Sequence, residues 1–561
     1  MAKEPTVDVC IVGSGAGGAT VAYALGTAGF SVVVLEAGPR YDPSQYPLNT
    51  QEWEQHSSAF RVAPHDQAKH AYSSAATEVL DPNYAHLRSW SEARGKFNST
   101  LYRRAPRIHR VKGVGGTTLH YQGEAHRFSP HGFRSKSLFD FGEDWPIGYD
   151  DLTPYYEKVE NLLGVSGDHR NPFKASRGPF PHPPHQLSCA SQRVKMGFDR
   201  LGMHLLPNSL AILSQTYDGR PSCNYCNGCS MGCMMQAKSS ADVTFIPKAE
   251  ATQHVQVRPN STVHHLTLDS HGKANGVLYF DGKGIEHRIY AKVVVVSAGA
   301  LESPRLLLNS TSSLFPNGLA NQSGVVGRYF METLVHITTA LFSEPIHSYK
   351  GLQIDSRAWD YNEPRKEQSF RGGVVFGVSA FDMLGPLTYA KKVAPGWGKS
   401  HKDFMRRSFG HATNVFAICE HHPSYENHVT LDNDKKDFYG IPVARLSTRL
   451  RQNDLEALSF AAQTNRAVLE SAGAEKIMGE QGSYDLSMIT HMSGTCRMGV
   501  DAQKSVVNSY CQTHDVPNLF VIDSSCFVSE GGGDSPSLTI QALALRASEY
   551  LIEEVKRGNL S

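Results

Sequence analysis

The sequence predicts an α/β protein in which a doubly wound, dinucleotide-binding domain carries an inserted α+β domain built on an antiparallel sheet. Three observations predict it. The chain opens with strand, glycine turn, helix, strand and acid between Val7 and Glu36. From about residue 330 to 480 short alternating apolar segments replace that pattern, as antiparallel strands do. Near the C-terminus a buried-type strand, Asn518 to Asp523, and a long helix from Pro536 restore the first pattern.

The opening carries the most information. Val7 to Val12 is a short apolar run, followed by Gly13-Ser14-Gly15-Ala16-Gly17-Gly18 and an Ala- and Gly-rich helical stretch to Gly29. Ser31 to Leu35 is a second buried strand and Glu36 ends it. This is G-x-G-x-x-G in the context that gives it meaning. Gly13 permits the tight turn, Gly15 lets backbone approach a pyrophosphate, and Gly18 lets helix pack on strand. The helix N-terminus offers free N–H groups to phosphate, and Glu36 would accept from a ribose.

Composition narrows the class. At 561 residues the chain is long enough for two or more domains. Lysine plus arginine (55) and aspartate plus glutamate (54) nearly cancel, which argues against nucleic acid as partner. No run of eighteen apolar residues is present, so no transmembrane helix is expected. Met1 to Pro5 leads straight into the first strand without a signal peptide. The expected location is therefore cytoplasmic, unless a partner subunit carries the chain across a membrane. Ten cysteines are too few for a disulfide scaffold, but four lie together, as in a metal site.

In order after Glu36, residues 41 to 100 read as loops and short helices over the cofactor site or against a partner. Val111 to Tyr121 contains Gly115-Gly116-Thr117-Thr118, where glycines and small hydroxyls turn N–H groups toward an anion or flat ring. Asp144-Trp145-Pro146 leads into an amphipathic helix with Tyr155, Tyr156, Val159 and Leu162 as its core positions. Val255 to Val263 and Gly276 to Phe280 read as strands. Val293 to Ser297 is a buried strand running into a glycine turn and helix from Gly299. Gly373 to Val378 and His428 to Leu431 read as strands of the inserted sheet, with a helix from Asp454 to Ala472 on its surface. His491 sits in a polar, Gly-containing loop with Gly494 and Thr495.

Together these segments resemble the glucose–methanol–choline oxidoreductases over nearly the whole chain. The resemblance implies an FAD-binding domain from 1–135, 223–330 and 485–561, and a substrate domain from 136–222 and 331–484. It implies that Gly13, Gly15, Gly18 and Glu36 hold the adenosine half of FAD and that Val263 meets adenine through its backbone. Gly115, Gly116 and Thr117 would line the pyrophosphate and isoalloxazine, and Asp523 would contact the flavin half. The catalytic base would be His491, since an alcohol yields hydride only if its hydroxyl proton also leaves. The second polar position, usually His or Asn, is Ser535 here, which can hydrogen-bond a substrate oxygen but is no comparable base. His120 follows the second glycine run, where some family members join histidine to the flavin covalently.

Cys223-x-x-Cys226-x-x-Cys229-x-x-x-Cys233 spans eleven residues. Zinc sites set two pairs apart by a longer spacer, whereas iron–sulfur loops are compact. The run resembles that of bacterial flavoprotein dehydrogenases for glucose, gluconate, sorbitol and fructose. Those hold a three-iron, four-sulfur cluster on cysteines spaced as Cys223, Cys229 and Cys233 are, before Gln236-Ala237-Lys238. Cys226 is extra, a fourth ligand for a four-iron cluster or a bystander. The alternatives are a zinc knot or free thiols.

The resemblance implies a dehydrogenase that oxidises an alcohol group of a sugar or sugar derivative. Its electrons would pass through the cluster to a cytochrome c subunit, and a small chaperone-like subunit would carry the export signal to the periplasmic face. An oxidase returning electrons to oxygen, a flavoprotein lyase and a redox sensor are the competing readings.

Overall fold

Strands as uniformly apolar as Val7–Val12 and Val32–Leu35 have no face for water, so they belong inside a parallel sheet covered by helices. The computed structural model, which describes residues 6–46, 73–93, 95–97, 101–379, 385–394 and 396–560, puts them there. Val32–Leu35 lies between Val255–Arg258 and Val7–Val12. Val7–Val12 pairs on its other edge with the end of Glu286–Val296, and that strand pairs with Leu519–Val521. All four pairings are parallel. The helix Ala16–Thr27 packs against Phe245–Ala251 and the C-terminal helix Ser537–Lys556.

Glu286–Val296 serves two sheets. Its first half runs antiparallel to Ala274–Phe280, which runs antiparallel to Thr262–Leu268. Its second half, buried Val293 to Val296, joins the parallel sheet. The expected single strand from Val255 to Val263 is broken, because Pro259 and Asn260, with φ +53°, turn the chain. Asparagine tolerates that left-handed conformation better than most residues.

The inserted domain is an eight-stranded sheet, antiparallel throughout. Leu334–Leu341, Ala412–Cys419, Val374–Ser379 and Ser356–Tyr361 form its centre in that order. The expected surface helix is present as Gln452–Ser471 and covers one face. Period-two alternation sends Leu334, Ala340, Val415, Ala417, Val374 and Phe376 into that helix-side core. The sheet's edge is completed by Trp90–Ser91 and Lys96–Phe97. The strand expected near His428 exists as His428–Lys436, but in a separate three-stranded sheet with Pro442–Ser447 and Ser73–Ala75.

The helix after Trp145 spans Tyr149–Leu163 and buries Leu152, Tyr156, Val159 and Leu163. Tyr155 and Leu162 are only half-buried, and the Tyr155 hydroxyl donates to Glu549 at 2.7 Å. Of the expected loop region 41 to 100, residues 47–72, 94 and 98–100 lie outside those described, as does Met1 to Pro5. Among the described residues no helix is long and apolar enough to cross a membrane.

Candidate active site

The first glycine turn lines a cavity of about 720 Å³ whose wall also includes residues of the antiparallel sheet. Gly13, Gly15, Glu36, Gly116, Thr117, His120, Val263, Asp523, His491 and Ser535 all line it. Ten positions spread over more than 500 residues of sequence therefore meet around one space. Gly18 and Gly115 stand behind the wall. A Cβ at Gly18 would lie 2.1 Å from the Gly13 carbonyl oxygen, so this glycine seats the helix on its strand. Gly115 has φ +103° and turns the second glycine loop.

Gly15 and Gly116 face each other. A Cβ on Gly116 would come within 2.8 Å of the Gly15 Cα, so the groove between the two loops exists only because both lack side chains. The helix behind it starts at Gly15 with no side-chain cap and no acid in its first turn. Its first N–H groups are thus left for an anion.

Glu36 is buried, and its carboxylate accepts from the Ser14 N–H (3.1 Å), the Ser14 hydroxyl (2.7 Å) and the Gly38 N–H (2.9 Å). Burial raises its pKa against those hydrogen bonds. Ser14 also accepts from the Gly115 N–H at 3.2 Å, tying the two glycine loops together. Nothing in the sequence singles out Ser14, because its identity within the motif is free. Asp523 accepts from the Gly299 N–H (2.8 Å), the Ser303 hydroxyl (2.6 Å) and the Ser525 N–H (2.7 Å). In this arrangement it anchors the start of helix Gly299–Asn309 at the cavity wall.

His491 adopts a left-handed backbone conformation, φ +50°, which the loop before Gly494 imposes. Its Nδ1 is buried without a hydrogen-bond partner. Burial pushes the imidazole down to about 4, Glu124 opposing the shift and Arg357, His126 and His120 adding to it. His120 is likewise pushed down to about 4 by burial and by Lys238, and its Nε2 is buried and unpartnered. Both imidazoles are neutral at pH 7.

Ser535 donates its hydroxyl proton to Glu124 at 2.7 Å, and its N–H donates to His126 Nδ1 at 3.2 Å. Glu124 is gripped by Arg357 through Nε and Nη2, both at 2.7 Å, and by Asn208 Nδ2 at 2.8 Å. Burial would raise the Glu124 carboxyl, but the Arg357 guanidinium, His126 and the hydrogen bonds outweigh it and hold it below the usual carboxylate range. Glu124 and Arg357 line the cavity beside Ser535. They lie 233 residues apart, with no local pattern that could link them.

The cysteine run departs from expectation. Among the described residues no group of three or more His, Cys, Asp or Glu is placed to hold a metal ion, although Cys223, Cys226, Cys229 and Cys233 lie close enough to influence one another's thiols. The physical reason is apolar packing: Cys229 and Cys223 sit with Leu210, Ile212 and Leu352. Burial pushes both thiols up to about 12. The loop is nonetheless tied to the cavity. Buried Lys238 donates to the carbonyls of Leu119 (2.8 Å), Tyr121 (2.9 Å) and Cys229 (2.6 Å). Ser230, next to Cys229, lines the cavity. The Tyr225 N–H donates to the Cys223 sulfur at 3.3 Å.

Comparison with known proteins adds to this geometry. Residues 208–330 and 423–544 match the family description GMC oxidoreductase, and residues 11–44 match the NAD(P)-binding Rossmann-like domain. The chain is 32% identical to 2-methyl-1,2-propanediol dehydrogenase of Mycolicibacterium austroafricanum, over 97% of this chain and 95% of that one. It is 28% identical to the fructose dehydrogenase large subunit of Gluconobacter japonicus, over 99% of each. A crystal structure of pyridoxine 4-oxidase from Mesorbium loti superposes with a TM-score of 0.58 at 17% identity, covering 97% of this chain and 99% of that one. This last similarity concerns the fold alone.

Proposed function

The chain belongs to the GMC oxidoreductase family, and from that premise we propose that it is an FAD-dependent dehydrogenase. Its substrate on this reading is an alcohol group of a sugar or related small alcohol. The observation that carries the reading is that His491 and Ser535 line the same cavity as the glycine groove and Glu36.

The residues fit FAD. The opposed glycines leave room for backbone to approach a pyrophosphate, the uncapped helix faces it, and Glu36 waits at the strand end. Gly13, Gly15, Gly116, Thr117, Val263 and Asp523 would hold the cofactor, with Gly18 and Gly115 shaping the loops. When bound, FAD supplies an acceptor for a hydride.

The chain's own residues handle the proton and the alignment. His491 is neutral at working pH and takes the proton from the substrate hydroxyl. The Ser535 hydroxyl donates its hydrogen bond to Glu124, so toward substrate it presents an oxygen lone pair that orients a hydroxyl. Arg357 and Asn208 hold Glu124, which in turn holds Ser535. His120 is a free, neutral imidazole on the cavity wall and is the candidate for a covalent link to the flavin.

The finer part of the reading concerns the electrons. An iron–sulfur cluster, three-iron on Cys223, Cys229 and Cys233 or four-iron with Cys226, would supply a one-electron relay from the flavin toward a cytochrome c partner. A small chaperone-like subunit accompanies export to the periplasmic side. Support comes from the cysteine spacing and from the Lys238 link between that loop and the cavity wall. Iron and acid-labile sulfide in anaerobically purified protein test this part separately.

The main test is anaerobic mixing of FAD-loaded protein with candidate alcohols. Bleaching of the flavin is expected in the wild type, and its loss in His491→Ala with FAD still bound. Full-rate bleaching in that variant removes the base assignment. No bleaching by any alcohol favours a lyase or a sensor, and oxygen uptake without added acceptor favours an oxidase.

A further inference from the structure

Beside the Arg357–Glu124 pair, the cavity is lined by the face of the antiparallel sheet turned away from its covering helix. Val335, Ile337, Phe416 and Ile418 project there at alternate positions, joined by Ile354 from the adjoining loop. Ile354, Phe416, Ile418 and Ile337 touch one another as a small apolar cluster. The polar side chains of that face, Asn414 and Ser379, stand at the other end of their strands, beyond Phe416. A body lying on this face gains from being apolar. One carrying hydroxyls all round would lose their hydration without gaining partners.

Arg357 supplies the second observation. It is 1% exposed, lines the cavity, and lies over the Phe416 ring at 4.4 Å. Nε and Nη2 are spent on the two oxygens of Glu124. Nη1 is buried and has no partner. A guanidinium nitrogen left unpaired in a dry site is costly, so an acceptor from the substrate completes it. The charge of Arg357 is already cancelled by Glu124. A neutral oxygen therefore suits the position, while a carboxylate would meet Glu124 with no free cation to offset the repulsion.

We propose that the substrate is a neutral diol with an apolar carbon body and a second hydroxyl on the carbon beside the one oxidised. Arg357 Nη1 is then the specificity-determining donor that takes the second oxygen. This rests on the reading of the site as an alcohol dehydrogenase and narrows it. The oxidised carbinol gives its proton to His491, bound FAD would accept its hydride, and the neighbouring hydroxyl keeps all its bonds.

The test uses FAD-loaded full-length enzyme with an artificial electron acceptor and four compounds: 1,2-butanediol, 1-butanol, 2-hydroxybutyrate and glucose. The expected result is a kcat/KM for the diol at least about tenfold above each of the others, since a site built to hydrogen-bond a hydroxyl rejects analogues that lack it. Equal or better turnover of the monoalcohol, the hydroxy acid or glucose overturns the proposal while leaving the dehydrogenase reading intact. No flavin bleaching by any of the four overturns both. In Arg357→Lys, which keeps the charge opposite Glu124 but loses the fork, the diol-to-monoalcohol preference is expected to fall at least about fivefold with flavin content unchanged. A preserved preference overturns the role of Arg357. The wild-type panel decides the substrate class even where the variant fails to fold.

Discussion

The acidity of His491 makes the sharpest prediction. An imidazole at its ordinary value of 6.5 would be only about 9% neutral at pH 5.5. Burial at the cavity wall pushes His491 down to about 4, so at pH 5.5 about 97% of it remains neutral. Glu124 acts against that shift, while Arg357, His126 and His120 reinforce it. A base must be deprotonated to act, so the rate is retained above the folded value and lost only as pH falls through it. Between pH 7.5 and 5.5 an ordinary histidine base would cost about tenfold in rate, whereas His491 costs less than about 10%. The assay is anaerobic stopped-flow bleaching of the flavin at subsaturating alcohol across pH 4.5 to 8, with flavin retention and circular dichroism recorded at each pH. An acid limb centred near 6.5, with fold and flavin intact, refutes the reasoning.

Three further outcomes follow from other parts of the molecule. In Gly17→Ala the new Cβ would lie 2.2 Å from the Ile522 carbonyl oxygen and 2.6 Å from Ser297 Oγ. The first helix must lift from the sheet, and a cost of about 1–3 kcal/mol or more is expected as a lower Tm and a loss of bound flavin on gel filtration. His336 is buried within strand Leu334–Leu341 and burial pushes it down to about 4. The unfolded chain takes up this proton below about 6.5 and the folded chain does not, so stability falls as pH drops from there toward 4, by up to about 1.4 kcal/mol per unit. Urea midpoints at pH 7 and 5 should converge in His336→Asn relative to the wild type. If His120 is linked to the flavin, the yellow colour stays with acid-precipitated protein, and in His120→Ala it is released; release from the wild type ends that assignment.

Much of this architecture is legible in the amino-acid sequence. The first 36 residues announce themselves because every feature of the motif is local: strand, turn, helix and acid follow one another within hydrogen-bonding reach. The inserted sheet is visible as period-two alternation, and the helix Gln452–Ser471 as its cover. His491 and Ser535 emerge only through resemblance, since neither has a local signal of its own. What stays hidden depends on register. Glu124 and Arg357 are brought together by the placement of strand Ser356–Tyr361, and no spacing in the chain encodes that meeting. Ser14 escapes notice for the opposite reason, being inside a motif where attention falls on the glycines. The cysteine run shows the limit of spacing: four thiols within eleven residues come near one another, but spacing alone does not give the geometry of a metal site.

Lys238 gives its whole hydrogen-bonding capacity to three main-chain oxygens on two different loops. A buried ammonium stripped of any one of them would be left under-coordinated in a dry interior, which is expensive. The loop after the second glycine pair and the loop of cysteines therefore behave as a single latch. Whatever seats the first in its final position also sets the second, and loosening either one unfastens the other.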